Sequence, residues 1–180
     1  SNTLQWIWAV NHEDVGSARA EDSYPGGEYV DWIGIDGYNW GASQSWSTWS
    51  RPDQVFGPMV ARLRELTRGQ PRPLALTETA SSSSMPGRID VAAKSQWITQ
   101  FFSYATSTDT AARMVVWFNE DKEADWAVFG GSNGDETYRS GRTSYKAYRS
   151  YREAARSPAL LPRDAAEPRL LNDTVFRGAW

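Results

Sequence analysis

Cysteine is absent from the 180 residues, so no disulfide staples this chain and no thiolate holds a metal. That absence is neutral about compartment, because many secreted enzymes of this size do without disulfides. Histidine occurs once, at His12, and no second group of ligating side chains accompanies it. No metal site and no cofactor site follows from that pattern. Positive charge is not in excess: 19 basic residues stand against 22 acidic ones, a net of -3. No basic stripe interleaves with the aromatics, which argues against nucleic acid as a partner. No apolar run approaches the ~18 residues of a membrane span, and the first residues carry no signal-peptide pattern.

What is present in quantity is indole. Ten tryptophans accompany eight tyrosines and six phenylalanines, more than a core of this size requires. Trp40, Trp46 and Trp49 fall within Asn39 to Ser50, a stretch of Gly, Ser, Thr and Gln. A sugar ring stacks its C–H face and needs partners for its hydroxyls, so flat apolar faces beside hydrogen-bonding groups suit it. The competing reading is that these loop aromatics fold back onto the core.

Four short apolar runs read as strands: Leu4 to Val10, Tyr29 to Tyr38, Pro73 to Ala80 and Arg113 to Asn119. The first is a buried-strand signal. In the second, Val30, Trp32, Gly34, Asp36 and Tyr38 share one face, and Ile33 and Ile35 the other. Both faces are largely apolar, as in a strand covered on two sides. Helices are expected over Pro58 to Thr67, from Asp90 to Ala105 and over Ser144 to Arg156. In the first, Arg62, Arg64 and Glu65 face out; in the last, Tyr145, Tyr148 and Tyr151 line one side. Thr79 to Gly87 is a serine-rich loop over a site. The tail from Ser157 is punctuated by prolines. Strand starts near 29, 73 and 113 give the rhythm of βα units in a parallel sheet.

Glu78 ends the third strand, where parallel α/β folds do their chemistry. Asp36 is either part of that site or a strand-end carboxylate capping backbone N–H groups. Trp117 is either a site residue or a core tryptophan at a strand end.

The motifs YPGGEYVDWIGIDGYNWG, PLALTETAS, KSQWI and VVWFN, in this order over residues 4 to 129, resemble glycoside hydrolase family 26. That family contains β-mannanases, some β-1,3-xylanases and mixed-linkage glucanases. The resemblance implies a (β/α)8 TIM barrel, with residues 1–156 as its last four βα units (a half-barrel) and 157–180 as a tail. It implies a retaining hydrolase of a mannan-type or related β-linked polysaccharide, secreted, with Glu78 as nucleophile. Tyr38 would donate a hydrogen bond to that carboxylate, Asp36 would support it from one pleat back, and Trp117 would be the platform under the sugar. Trp40 and Asn119 would line the cleft. A retaining glycosidase needs a second carboxyl group about 5–5.5 Å from the first.

The family's proton donor is a glutamate after a histidine at the end of the fourth barrel strand. His12-Glu13 has that form, but it lies 38 − 12 = 26 residues before Tyr38. A βα unit takes about 30 residues or more, so Glu13 is not expected to be the donor. The donor then lies outside this chain, and the half-barrel needs a missing N-terminal half or a second copy as partner. The alternative is a non-catalytic carbohydrate-binding or scaffold domain derived from the barrel.

Overall fold

In the computed structural model, which describes residues 4–160, four parallel strands stand in the order β1-β2-β3-β6. They are β1 (Ile7–Asn11), β2 (Trp32–Asn39), β3 (Leu74–Ser81) and β6 (Ala112–Trp117). Between β2 and β3 runs α1 (Pro52–Leu66); between β3 and β6 runs α2 (Val91–Ala105). The two-residue strands β4 (Ser84–Met85) and β5 (Arg88–Ile89) pair just before α2. Last come β7 (Glu136–Ser140), β8 (Thr143–Ala147) and the short α3 (Arg149–Ala154). Most of the expected tail, residues 161–180, lies outside the described residues.

Both long helices pack on one face of the sheet. Ile33 and Ile35 of β2 and Leu74 and Leu76 of β3 meet Phe56, Met59 and Leu63 of α1 and Trp97 and Phe101 of α2. Alternation sends residues 33 and 35 to the helices and leaves Asp36 and Tyr38 for the opposite face.

The expected element boundaries need four corrections. First, β1 is an outer edge strand, with its side chains alternately exposed and half-exposed. Only a 3-10 turn, Ala20–Ser23, lies between it and β2, with Ser23 accepting from the Trp8 indole at 3.3 Å, and Trp6 just before the strand is 65% exposed. Second, α1 begins six residues earlier than expected, with Pro52 in its first turn and the Gln54 side chain accepting the Arg51 N–H at 2.9 Å. Pro58 lies inside the helix. An internal proline costs ~3 kcal/mol, but burying each large apolar side chain returns roughly 1.5–3 kcal/mol, and Phe56, Met59 and Leu63 are all fully buried. Arg62 does not simply face out: it donates to Glu21 at 2.8 Å and to Asp14 at 3.1 Å, tying the β1–β2 connection to α1.

Third, Ser144 to Ala147 are strand rather than helix. Tyr138 pairs with Tyr145 in a hairpin whose loop is Gly141-Arg142. Gly141 has φ +58 and Arg142 does not share a positive φ, which is the pattern of a type II′ turn with glycine first. The tyrosine spacing imitates a helical face, but Phe129 stacking on Tyr145 at 5.2 Å favours the strand. Fourth, the first of the expected loop serines are packed inside: Ser81, the last residue of β3, and Ser82 and Ser83 after it are fully buried. Ser82 and Ser83 anchor Asp125, as described below.

Candidate active site

The C-terminal ends of the four parallel strands lie at one end of the sheet, so the loops after them surround a common region. Glu78 reaches it through an irregularity. Leu74 and Leu76 face the helices, and strict alternation would turn Glu78 the same way. Instead Leu76 pairs with Ile35 and Glu78 with Asp36, leaving Thr77 as an extra residue. The ladder to β6 shifts in the same place, between Leu76 and Thr79. Such a bulge re-aims the side chain beside it. Glu78 is consequently exposed, between half-buried Thr77 and buried Thr79.

Asp36 holds the bulge. Its carboxylate accepts from the Thr77 hydroxyl at 2.7 Å and from the Glu78 backbone N–H. Burial pushes the Asp36 carboxyl above its ordinary pKa and the nearby Glu78 charge adds to the rise, while the Thr77 hydrogen bond opposes it. Tyr38 extends from β2 on the same face, and its hydroxyl donates to Glu78 Oε2 at 2.5 Å. Burial raises the Tyr38 pKa well beyond the usual phenol value, and the bond to Glu78 raises it further. The phenol therefore stays a proton donor to the carboxylate throughout the neutral range.

Tyr38 is embedded in aromatic rings. Trp126 lies 5.1 Å away between centroids, and Trp40 and Phe118 each lie 6.2 Å away. Trp126 also meets Trp40 edge to face at 4.7 Å. Trp40 thus stands beside Tyr38. Trp117 does not: its ring packs edge-on against Trp97 at 6.0 Å, Phe101 at 6.0 Å and Tyr151 at 5.6 Å. Strand parity explains this, because Trp117 is two residues after Val115, which also packs on the helix-side core. Trp117 is a core tryptophan and not a platform in this cleft. Asn119 is likewise occupied with structure: its Oδ1 accepts from Val128 N at 2.8 Å and Phe129 N at 3.0 Å, and its amide donates to Phe129 O at 3.0 Å.

The residue absent from the sequence-based set is Trp126, which is almost fully buried. Its seat is built from three consecutive carbonyls. Lys94 Nζ, on α2, donates to the carbonyls of Asp125 and of Ala127, the latter at 3.0 Å; Trp117 Nε1 donates to that of Trp126 at 3.1 Å. Lys94 has no exposed surface, stands 4.0 Å from Asp125 Oδ2 and lies 4.8 Å from the Tyr148 ring centre. Burial drops its pKa to about 8, against the pull of the Asp125 and Asp121 charges. Asp125 also accepts from Ser82 Oγ at 3.1 Å, Ser83 N at 2.8 Å, the Ser83 hydroxyl and Asn133 Nδ2 at 3.0 Å.

Asn39 organises the neighbouring loop. It is fully buried, donates to Ser81 Oγ at 2.9 Å and accepts the Ser50 N–H at 2.9 Å. Gly41, at φ +56, brings the backbone so close to the Ser84 carbonyl that a Cβ there would lie 2.3 Å from it. His12 and Glu13 follow β1 directly; His12 Nε2 is 3.9 Å from Glu13 Oε1, and Glu13 is largely exposed. Among the described residues no three His, Asp or Glu side chains converge as metal ligands, and no helix is long and apolar enough to cross a membrane.

The family model described as glycosyl hydrolase family 26 matches residues 1–105 of this chain. The chain belongs to that family. The match takes in β1, β2, α1, β3 and α2, and so contains the whole Tyr38–Glu78–Asp36 group. Among curated proteins, endoglucanase H of Acetivibrio thermocellus is 33% identical over 156 residues, 86% of this chain and 15% of that protein. Among solved structures, GH26A from Muricauda sp. MAR_2010_75 is 22% identical with a TM-score of 0.33, covering 64% of this chain and 29% of that one. The chain therefore spans less than a third of the length of either of these relatives. Family 26 implies a (β/α)8 barrel, and the observed parallel α/β sheet is of that class.

Proposed function

We propose that this chain carries the nucleophile side of a retaining glycoside hydrolase acting on a β-linked polysaccharide. Glu78 is the nucleophile, Tyr38 holds it aimed, and Asp36 sets the bulge that presents it. The observation that carries this reading is the 2.5 Å hydrogen bond from the Tyr38 hydroxyl to an otherwise exposed Glu78 carboxylate. A nucleophilic carboxylate must be fixed and reachable, and this arrangement supplies both.

In the proposed reaction Glu78 attacks the anomeric carbon, the glycosidic C–O bond breaks, and a second carboxylic acid protonates the departing oxygen. Water then cleaves the glycosyl-enzyme ester with that second group acting as base. The second group belongs to a part of the protein beyond these 180 residues. Among the described residues β1 pairs only with β2, and β6 only with β3. Those two free edges are where the remaining strands of a barrel would join, from an N-terminal half or a second copy. Residues 1–156 are then its last four βα units, and the place of action is outside the cell.

A mannan-type chain is the substrate expected from the resemblance, and a β-glucan is to be tested beside it because the curated relative is named an endoglucanase. The deciding experiment measures hydrolysis of both polymers by the complete protein and its Glu78→Gln variant. Loss of hydrolysis with an unchanged melting temperature supports the assignment. Undiminished hydrolysis refutes it.

A further inference from the structure

We propose that the cleft between the end of β1 and the β2–α1 loop binds one pyranose unit of an uncharged oligosaccharide, beside the bond cleaved at Glu78. This deepens the hydrolase reading above and rests on it for the position of the cleaved bond. The cleft measures about 280 Å³ and is lined by His12, Glu13, Tyr38, Trp40, Trp46 and Gln54, among others. Its volume falls just under the ~300–1,000 Å³ of typical ligand clefts, which suits a single ring.

Trp46 is the decisive residue. It is 68% exposed, so it contributes little to the core, and its ring lies 5.3 Å from that of Trp40 at 59°. The two indoles make an angled wall. The loop displaying Trp46 is held in shape: Ser47 Oγ donates to Gly41 O at 2.8 Å and Asn39 takes the Ser50 N–H. An exposed indole on a preorganised loop binds without the ordering cost of a mobile one. The remaining lining is polar. The Gln54 oxygen is taken by the Arg51 N–H, which leaves its amide hydrogens as donors, and His12, Thr48 and Ser50 add further hydrogen-bonding groups. Glu13 is the single carboxylate of the lining, and a negative wall disfavours uronic acids. A neutral polyol with one apolar face fits both halves of this surface.

Tyr38 belongs to both sites. It lines the cleft, and its hydroxyl is on Glu78. A ring in the cleft therefore sits next to the sugar at the nucleophile, which makes the substrate a chain of at least two units.

Calorimetric titration of the complete protein, in its Glu78→Gln form so that the sugars stay intact, with mannotetraose and cellotetraose tests the proposal. Trp46→Ala should weaken the tetraose that binds by about tenfold, the scale of one aromatic contact, and Trp46→Phe should recover most of it. Gln54→Ala should weaken it by a smaller factor. Equal affinity of Trp46→Ala and the parent chain overturns the subsite, as does failure of the parent to bind either tetraose. The two readings fail separately. Undiminished hydrolysis by Glu78→Gln removes the nucleophile but leaves a Trp46-dependent affinity standing, whereas an inactive Glu78→Gln with an indifferent Trp46→Ala removes only the subsite.

Discussion

Two carboxylates at the same end of the sheet have opposite situations. Glu78 receives one side-chain hydrogen bond, from Tyr38, and is exposed. Asp125 is nine-tenths buried, receives four hydrogen bonds and stands near a buried lysine. A carboxylate has about four lone-pair sites, so Asp125 has no acceptor capacity left for a ligand and Glu78 does. The difference separates a group kept available for chemistry from one consumed in holding a loop. The two are nevertheless joined: the Asp125 loop carries Trp126, Trp126 packs on Tyr38, and Tyr38 aims Glu78.

The contrast breaks most sharply at Glu78. Glu78→Gln in the complete protein should lower kcat by about 10³-fold or more with the melting temperature unchanged, as expected when a covalent nucleophile is removed. A drop in stability of the size expected at Asp125 would erase the distinction. Lys94→Met should do the reverse. It leaves the carbonyls of Asp125 and Ala127 without their donor, at a cost of about 2–4 kcal/mol by denaturant titration.

Lys94 also has a pH signature. Its folded pKa, about 8, is below the ordinary value of 10.5. Between those two values the unfolded chain binds more protons, so this lysine's contribution to stability increases as pH rises from about 8. The stability difference between the parent and Lys94→Met should grow from pH 7 to pH 10; a flat difference would show that the ammonium is not desolvated. Tyr38→Phe sits between the regions and should lower kcat by about 10- to 100-fold, because Glu78 loses the hydrogen bond that aims it. An unchanged kcat would mean that the hydrogen bond is not functional.

The smallest effect lies away from both carboxylates. The Arg62 guanidinium holds Glu21 down to about 2. That stabilisation is complete above the ordinary glutamate pKa and is lost as pH falls through the lowered one. Arg62→Ala should thus lower Tm slightly at pH 7 and by much less near pH 2, as read by thermal melts.

The parallel sheet was legible because its central strands are contiguous apolar runs with little competing pattern. Tyr38, Asp36 and Glu78 were legible as a group through alternation and motif order. The bulge at Thr77 was not, since nothing in LALTET marks which residue goes unpaired. Trp117 was misplaced although parity with Val115 carried the needed signal: residues two apart on a strand share a face. Trp126 was missed because a tryptophan in a polar loop has no periodicity, and its seat depends on Lys94, 32 positions earlier. The hairpin at Gly141 was hidden by tyrosines whose spacing fits a helix equally well.

The outer edges of β1 and β6 have a practical side. Each presents a row of backbone donors and acceptors that no neighbouring strand occupies among the described residues, and exposed Trp6 and Ile7 lie along one of them. Such an edge is a template for further strands of any origin. Expressed by itself, this chain should polymerise or precipitate as its concentration rises, and light scattering would follow it. A lysine placed outward on β1, at Ile7, should keep it in solution.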